Sequence, residues 1–405
     1  MPASKSYTPS PETLTNYAHI LIDFALGGGK GVQPGEVVYL QFDALALPLA
    51  LEVSKRILEK GGYPITKMNE EAFQKIHVDY ASDEQLTFFP KKYMRALVET
   101  IDHRMYLIAP RDPFLLKNSD PRKLMLANKN TTILKKWLFD KEDQGKLTWT
   151  LALYGTQGMA DEAGLSLQDF WAQIEKACFL NDTDPIQTWN RVFEDLEKLR
   201  GTLSLMPIEK LHLQSKETDL WITLGEQRQW LCGSGRNIPS FEMFTSPDWR
   251  GTEGHIYFDY PLYRYGNIIK DIKLEFKKGL IVQARALKNE KLLKELINQK
   301  NANKIGEYSL TDIDYSHIDA FMANTLYDEN YGGKHGNTHL AVGSSYHEGY
   351  AGDIRSMKAA DFKRLGFNES PEHTDIIATH DRVVTAHMQD GSSKIIYAKG
   401  HFQVK

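Results

Sequence analysis

The chain has 405 residues, of which 41% are hydrophobic and 25% are charged, a composition typical of soluble globular proteins. Its formal net charge of −4 gives no electrostatic basis for binding nucleic acid or an anionic membrane. The two cysteines, Cys178 and Cys232, form no CxxC pair, which argues against a thiolate zinc site or a disulfide framework. Neither a secretory signal nor an apolar run of about 18 residues is visible, so we expect a cytoplasmic protein of about two domains.

The first half of the chain alternates helix and strand patterns. Ser10 followed by Pro11 predicts a helix start, since Ser caps helices and Pro is favoured at the first helical position. Buried strands are expected at residues 37–42, 105–110 and 148–155, with helical runs between them. Strands that alternate with helices predict a parallel sheet covered by helices, so we expect residues 1–207 to form an α/β N-terminal domain.

The pattern changes near residue 208, with a boundary expected between Met206 and His212. Alternating strands separated by turns then dominate, and convincing helical patterns occur only at residues 289–300 and around 317–327. Such a composition is typical of antiparallel hairpins, so residues 208–405 are expected to form a strand-rich α+β catalytic domain.

Two Gly-rich stretches resemble phosphate loops at first sight. The stretch GGGKG at residues 27–31 lies between a helix and a strand, which is the reverse of the order that a phosphate loop requires. In the second stretch, Gly333 and Lys334 are followed by His335 instead of the Ser or Thr that would bind magnesium. We therefore interpret both stretches as connections.

Carboxylates and imidazoles beside strand-like runs are the best candidates for chemistry. His373 and Asp375 are two residues apart, a spacing that places both side chains on one face of a strand. Taken alone, Glu242 and Glu307 are more typical of surface carboxylates, and His339 is typical of a hydrogen-bonded core histidine. Together the five suit two borderline divalent ions with one bridging carboxylate. The HExxH and GxSxG motifs of other hydrolases are absent from the sequence.

Several sequence blocks in a fixed order carry a family resemblance. ETDLWITLGEQRQW (217–230), GRNIPSFEMFTSP (235–247), NTLYDEN (324–330), HLAVGSSY (339–346) and EHTDIIA (372–378) resemble the aminopeptidase T and aminopeptidase S family of metalloexopeptidases. The likeness covers nearly the whole chain, and in the first half it is looser, chiefly in AGLSLQDF (163–170) and RDPFLLKN (111–118).

The resemblance implies a two-domain cytoplasmic homodimer that removes N-terminal residues from peptides with two divalent ions. The metal ligands of the family fall on five residues, Glu242, Glu307, His339, His373 and Asp375, and its active-site tyrosine falls on Tyr346. Three features depart from the family pattern: Phe241 replaces a usual Gly, the loop that carries Lys334 and His335 is longer, and His380 is an additional imidazole.

The sequence therefore predicts a metal-dependent aminopeptidase that acts through a water activated by two ions of zinc, cobalt or manganese. Its substrates would be peptides with a free N-terminus, and Tyr346 would hydrogen-bond a ligand or the developing oxyanion. Glu253 and Glu329 are candidates for the general base, although each is more typical of a surface or structural carboxylate. The alternatives are a narrow-specificity metal-dependent dipeptidase or amidase, suggested by the loop around His335, and a non-catalytic binding protein of the same fold.

Overall fold

The structure, a computed structural model, describes residues 7–116, 119–129, 131–233, 237–264 and 267–404. The last two residues of the block 111–118 and the first two of the block 235–247 lie outside them. Two compact units comprise the described parts of Met1–Asn190 with Ser234–Pro239, and of Arg191–Gly233 with Ser240–Lys405. The expected domain boundary, between Met206 and His212, lies within the second unit and stays a prediction.

The strands of the described residues are β1 (Val37–Asp43), β2 (Tyr63–Asn69), β3 (His103–Ile108), β4 (Thr148–Leu153), β5 (Ile208–Ser215), β6 (Thr218–Thr223), β7 (Leu231–Cys232), β8 (Asn237–Ile238), β9 (Glu242–Thr245), β10 (Glu253–Phe258), β11 (Leu262–Arg264), β12 (Asn267–Lys277), β13 (Leu280–Lys288), β14 (Ile305–Thr311), β15 (Asn337–Gly343), β16 (His373–Ala378), β17 (Arg382–Met388), β18 (Ser393–Ala398) and β19 (His401–Phe402). The α-helices are α1 (Pro11–His19), α2 (Leu47–Glu59), α3 (Glu71–Tyr80), α4 (Asp83–Thr87), α5 (Lys91–Thr100), α6 (Pro121–Lys129), α7 (Thr131–Glu142), α8 (Gln157–Ala163), α9 (Leu167–Ala177), α10 (Pro185–Leu205), α11 (Glu290–Ile297), α12 (Thr325–Asp328) and α13 (Ala359–Arg364).

The first unit contains a parallel sheet with the strand order β2-β1-β3-β4-β8. Helix α1 begins as expected, because the Ser10 side chain accepts a hydrogen bond from the Thr13 N–H and Pro11 follows the cap. Helix α2 packs on β1 and β2 and buries Leu49, Val53 and Ile57, an i, i+4, i+8 stripe. The predicted parallel sheet with helices is confirmed.

The second unit contains two antiparallel sheets. One has nine strands in the order β11-β12-β10-β6-β5-β17-β18-β19, with β13 paired to β12, and the other has the order β16-β15-β14-β9-β7. Every residue of β14 and β15, the central pair of the smaller sheet, is buried. The predicted strand-rich fold of this half is confirmed. Among the described residues, no helix has the length and apolar character needed to cross a membrane.

The helix expected around residues 317–327 is wrong for most of its length. Only Thr325–Asp328 is helical, a single turn capped by the Asn324 side chain, which accepts a hydrogen bond from the Leu326 N–H. The Asp328 carboxylate accepts hydrogen bonds from the Met322 and Asn324 N–H groups at 2.8 and 2.9 Å. The Asp328 side chain thus satisfies two backbone donors that would otherwise form hydrogen bonds within a helix, and the segment adopts a non-helical conformation.

Candidate metal centre

The smaller antiparallel sheet brings the five predicted ligands to one face. Glu307 of β14 and Asp375 of β16 both lie opposite Ala341 of β15, so the three side chains share a face. His339 precedes Ala341 by two residues and therefore points to the same face, since strand side chains alternate. The remaining two ligands follow by the same argument, because His373 lies opposite Gly343 in β15 and Glu242 lies opposite Thr311 in β14.

Small residues leave room on that face. Ser309, Ala341 and Gly343 occupy the positions among the ligands. Gly343 has φ of 109°, and a Cβ atom there would lie 2.1 Å from the Glu372 carbonyl oxygen. A glycine is therefore required where β15 passes the strand that carries His373.

The ligand atoms form two groups that share Glu307. In the first, His339 Nε2 lies 2.8 Å from a Glu307 oxygen and 3.3 Å from a Glu242 oxygen. In the second, His373 Nε2 lies 3.4 Å from an Asp375 oxygen and 3.7 Å from the other Glu307 oxygen. Within each group of three residues, one donor atom from each lies within 4.8 Å of the others. Both oxygens of Glu307 are thus engaged, one on each side.

The electrostatics of the cluster reflect buried charges at short range. Burial, together with the charges of Glu242 and Asp375, raises the pKa of Glu307 to about 6. Burial opposes the charged form of His373, but the Asp375 carboxylate prevails and raises the pKa of that imidazole to about 9. Burial also opposes ionisation of Asp375, and the neighbouring His373 nevertheless lowers its pKa to about 2. Burial likewise opposes the charged form of His339, but its hydrogen bonds with Glu242 and Glu307 prevail and raise its pKa well above the usual value. The site therefore pairs two imidazoles of raised pKa with a group of buried carboxylates.

The two candidates for the general base have different environments. Glu329 is buried, and its pKa is raised well above the usual value by burial and by the charges of Glu242 and Asp375. Glu253 is exposed on β10, where its carboxylate accepts a hydrogen bond from the Lys278 N–H at 2.6 Å. Glu329 therefore interacts electrostatically with the ligand cluster, which fits a role beside the metal centre.

Neighbouring groups orient the ligands. His373 Nδ1 lies 2.8 Å from the Ser344 carbonyl oxygen, an arrangement that directs Nε2 towards the carboxylates. The next residue back, Glu372, is buried and forms an ion pair with Arg264 while accepting a hydrogen bond from the Thr374 hydroxyl. Imidazole ligands of metals characteristically donate a hydrogen bond from their second ring nitrogen, as His373 Nδ1 would to the Ser344 carbonyl oxygen.

Tyr346 lies beside the cluster. Its ring is 5.0 Å from the His373 ring in an edge-on arrangement, and its backbone N–H donates to the Ser246 hydroxyl at 2.8 Å. Although Tyr346 as a whole is 42% exposed, its hydroxyl faces the protein, and desolvation together with the surrounding carboxylates, Glu307 first, raises the pKa of the phenol. The hydroxyl is consequently protonated at neutral pH and can act as a hydrogen-bond donor.

The residues that depart from the family pattern lie apart from the ligands or behind them. His335 Nδ1 is 4.0 Å from an Asp381 oxygen, and His380 Nε2 is 3.8 Å from an Asp259 oxygen. Phe241 is fully buried immediately before Glu242. Neither imidazole belongs to a group of potential ligands in the described part of the chain.

The residues present fit divalent cations. Three carboxylates and two imidazoles are ligands that borderline divalent ions accept. Among the described residues, Ser309 Oγ, Thr311 Oγ1 and His339 Nδ1 are buried without a hydrogen-bond partner. Unpaired buried polar atoms are rare in proteins because each lowers the stability of the folded state. The two hydroxyls lie on the same face of the sheet as the proposed ligands, where ions, water or substrate could supply the polar partners that the protein does not.

A cluster of carboxylates and imidazoles on an antiparallel sheet, in a chain that also contains a parallel α/β unit, has the ligand chemistry of a metallohydrolase site. The chain belongs to the thermophilic metalloprotease family M29, whose family model matches residues 10–402. The predicted resemblance is confirmed, and the chain is a metallopeptidase that depends on divalent metal.

Individual relatives match over nearly their full lengths. The chain is 29% identical to aminopeptidase PepS of Streptococcus thermophilus, over 97% of this chain and 98% of that protein. It is 27% identical to aminopeptidase AmpS of Bacillus subtilis, over 96% and 98%. The solved structure of wild-type AmpT from Thermus thermophilus has the same fold, with a TM-score of 0.84 at 22% identity over 97% and 99% of the two chains.

Proposed function

We propose that the protein is an aminopeptidase whose metal centre is formed by Glu242, Glu307, His339, His373 and Asp375. The observation that carries the proposal is the pair of three-residue groups that share Glu307. Each group offers three protein ligands, a number typical of catalytic sites that keep positions open for water and substrate. Glu242, Glu307 and His339 would hold one ion, and Glu307, His373 and Asp375 would hold the other.

Zinc, cobalt and manganese all suit this mixture of oxygen and nitrogen ligands. Divalent ions bound there would supply polarisation of the scissile carbonyl and a lowered pKa for the attacking water. The protein residues supply the remaining functions. The Glu329 carboxylate would accept the proton of the water and return it to the departing amine. The protonated Tyr346 hydroxyl would donate a hydrogen bond to the developing oxyanion.

The proposal includes a preference for peptides with a free N-terminus. A free amino terminus would either ligate one of the ions or pair, as a positively charged ammonium group, with a carboxylate of the site. An acylated N-terminus has no such charge and would bind poorly. Cytoplasmic location and homodimer formation stay predictions.

Release of p-nitroaniline from leucine p-nitroanilide tests the proposal. Chelator-treated protein should be inactive, and zinc, cobalt or manganese should restore activity. N-acetyl-leucine p-nitroanilide should be cleaved at least about a hundredfold more slowly under the same conditions, as expected when a buried charge loses its partner. Folded protein that remains inactive with each metal, or that cleaves both substrates equally, would overturn the aminopeptidase proposal.

A further inference from the structure

A basic cavity of about 490 Å³ lies in the second unit, and none of the proposed metal ligands lines it. Its volume is within the range of sites that hold small molecules, roughly 300–1,000 Å³. The cations at its wall are Arg250, Lys300, Lys304 and Lys363, and Glu369 is the acidic residue among those that line it. This local excess of positive charge contrasts with the formal net charge of −4 of the whole chain.

The three lysines are not neutralised by the protein. Arg250 is already paired with the carboxylate of Asp248 at 2.6 Å. In the described parts of the chain, by contrast, none of the lysines lies within ion-pair distance of a carboxylate. Lys304 is half-buried, and burial and the charge of Lys363 lower its pKa. Lys300 and Lys363 are exposed, and water screens their charges only in part, so an anion bound in the cavity would reduce the repulsion among the three lysines.

The walls of the cavity are held by hydrogen bonds. Lys304 Nζ donates to the Asn301 side chain at 3.1 Å, and the Asn301 amide donates to the Glu369 carbonyl oxygen at 2.8 Å. Asn368 is 2% exposed and donates from its side chain to the carbonyl oxygens of Asn301 and Gly343. Such cross-linked walls favour a preformed site, which reduces the entropy lost when a ligand binds.

An aromatic ring completes the cavity. Lys304 Nζ lies 4.1 Å from the centre of the Trp249 ring, a cation–π contact that orients the ammonium group. Phe367 adds a second aromatic side chain to the lining. We infer that this cavity is a binding site for a small phosphate-bearing anion, with Lys300, Lys304 and Lys363 as its charge partners. Lysine binds phosphate as a point charge. Three lysines at one cavity therefore suit a ligand with several negative charges, such as a phosphate, better than a ligand with a single carboxylate.

Calorimetric titration of the full-length protein with sodium pyrophosphate, and separately with inorganic phosphate, tests the inference. The Lys304→Gln and Lys363→Gln variants should each bind pyrophosphate about tenfold more weakly, the loss expected for one charge-assisted hydrogen bond. Lys291→Gln is the matched control, because this side chain on α11 is highly exposed and does not line the cavity. Raising the salt concentration should also weaken binding.

The variants distinguish this cavity from the metal centre, which could bind pyrophosphate through its ions. Equal affinity in wild type, Lys304→Gln, Lys363→Gln and Lys291→Gln would overturn the inference, and so would absence of binding to wild type. Lys304→Arg keeps the charge and should retain most of the affinity, which separates a charge effect from misfolding. Leucine p-nitroanilide cleavage by the same preparations reports on the metal centre, so failure of one proposal leaves the other testable.

Discussion

Asn330 connects the segment that carries Glu329 to the strand that begins with Glu242. Its side-chain oxygen accepts a hydrogen bond from the Phe241 N–H at 2.6 Å, and its amide donates to the Leu326 carbonyl oxygen at 3.1 Å. Both partners are buried. A single amide thus fixes the position of the residue that immediately precedes a proposed ligand.

Replacing Asn330 should therefore affect both stability and catalysis. Asn330→Ala leaves the buried Phe241 N–H unpaired, and we expect the free energy of unfolding to fall by about 1–3 kcal/mol. Activity should fall more than the loss of folded protein explains, because Glu242 is no longer held in place. Denaturant unfolding and leucine p-nitroanilide kinetics measure the two effects. Asn298→Ala, at an exposed position after α11, is the control, and equal behaviour of the two variants would refute the positioning role.

Metal content should depend on which ligand is removed. Glu307→Gln takes away the carboxylate shared by both groups, so we expect loss of both ions, whereas Glu242→Gln should lose mainly one. Glu253→Gln, an exposed carboxylate, should retain full metal content and activity. Plasma emission analysis of purified protein measures the stoichiometry. An identical metal content in Glu307→Gln and Glu253→Gln would contradict the bridging role.

The Tyr346 hydroxyl should act on the rate constant and not on metal binding. Tyr346→Phe keeps the ring that contacts His373 but removes the donor. We expect kcat to fall roughly 10²–10³-fold, the usual cost of one oxyanion donor, with KM and metal content little changed. Steady-state kinetics decide the matter, and an unaltered kcat would remove Tyr346 from the chemistry.

Removing the metal should destabilise the second unit. Without cations, the carboxylates of Glu242, Glu307, Glu329 and Asp375 repel one another, and burial together with this repulsion raises the pKa values of Glu307 and Glu329. Ions that bind only the folded state stabilise it in proportion to the logarithm of their concentration. We expect chelation to lower the Tm, and added metal to raise it again. A Tm independent of metal would contradict a structural contribution from the site.

Neither cysteine should react in the folded protein. Cys178 and Cys232 are both buried. Burial and the hydrogen bond to Glu197 raise the pKa of the Cys232 thiol well above its usual value, so the thiolate needed for disulfide exchange is scarce at neutral pH. Ellman's reagent should detect two thiols in denaturant and almost none without it. Rapid modification of one thiol in native protein would show that the surrounding structure opens readily.

The family resemblance predicts all five proposed ligands, whereas strand spacing alone supports His373 and Asp375, which are two residues apart on one strand face. Their convergence with Glu307 could not be predicted from spacing, since it depends on the pairing of β15 with β14 and β16, which are distant in sequence. The local environment also separated Glu329 from Glu253, two carboxylates that the sequence alone treated alike. The error at residues 317–327 has the same origin, because the Asp328 side chain captures backbone donors that a helix would otherwise use.

Strand β16 occupies one end of the five-stranded order and yet carries two proposed ligands, His373 and Asp375. End strands are hydrogen-bonded to one neighbour within the sheet and are commonly among the first elements to fray. Ions held between β16 and the central strands would cross-link this edge strand to the rest of the sheet. The metal-loaded enzyme would then be mechanically tighter at its active site than the same chain without ions, and catalytic readiness and local rigidity would be acquired in a single binding event.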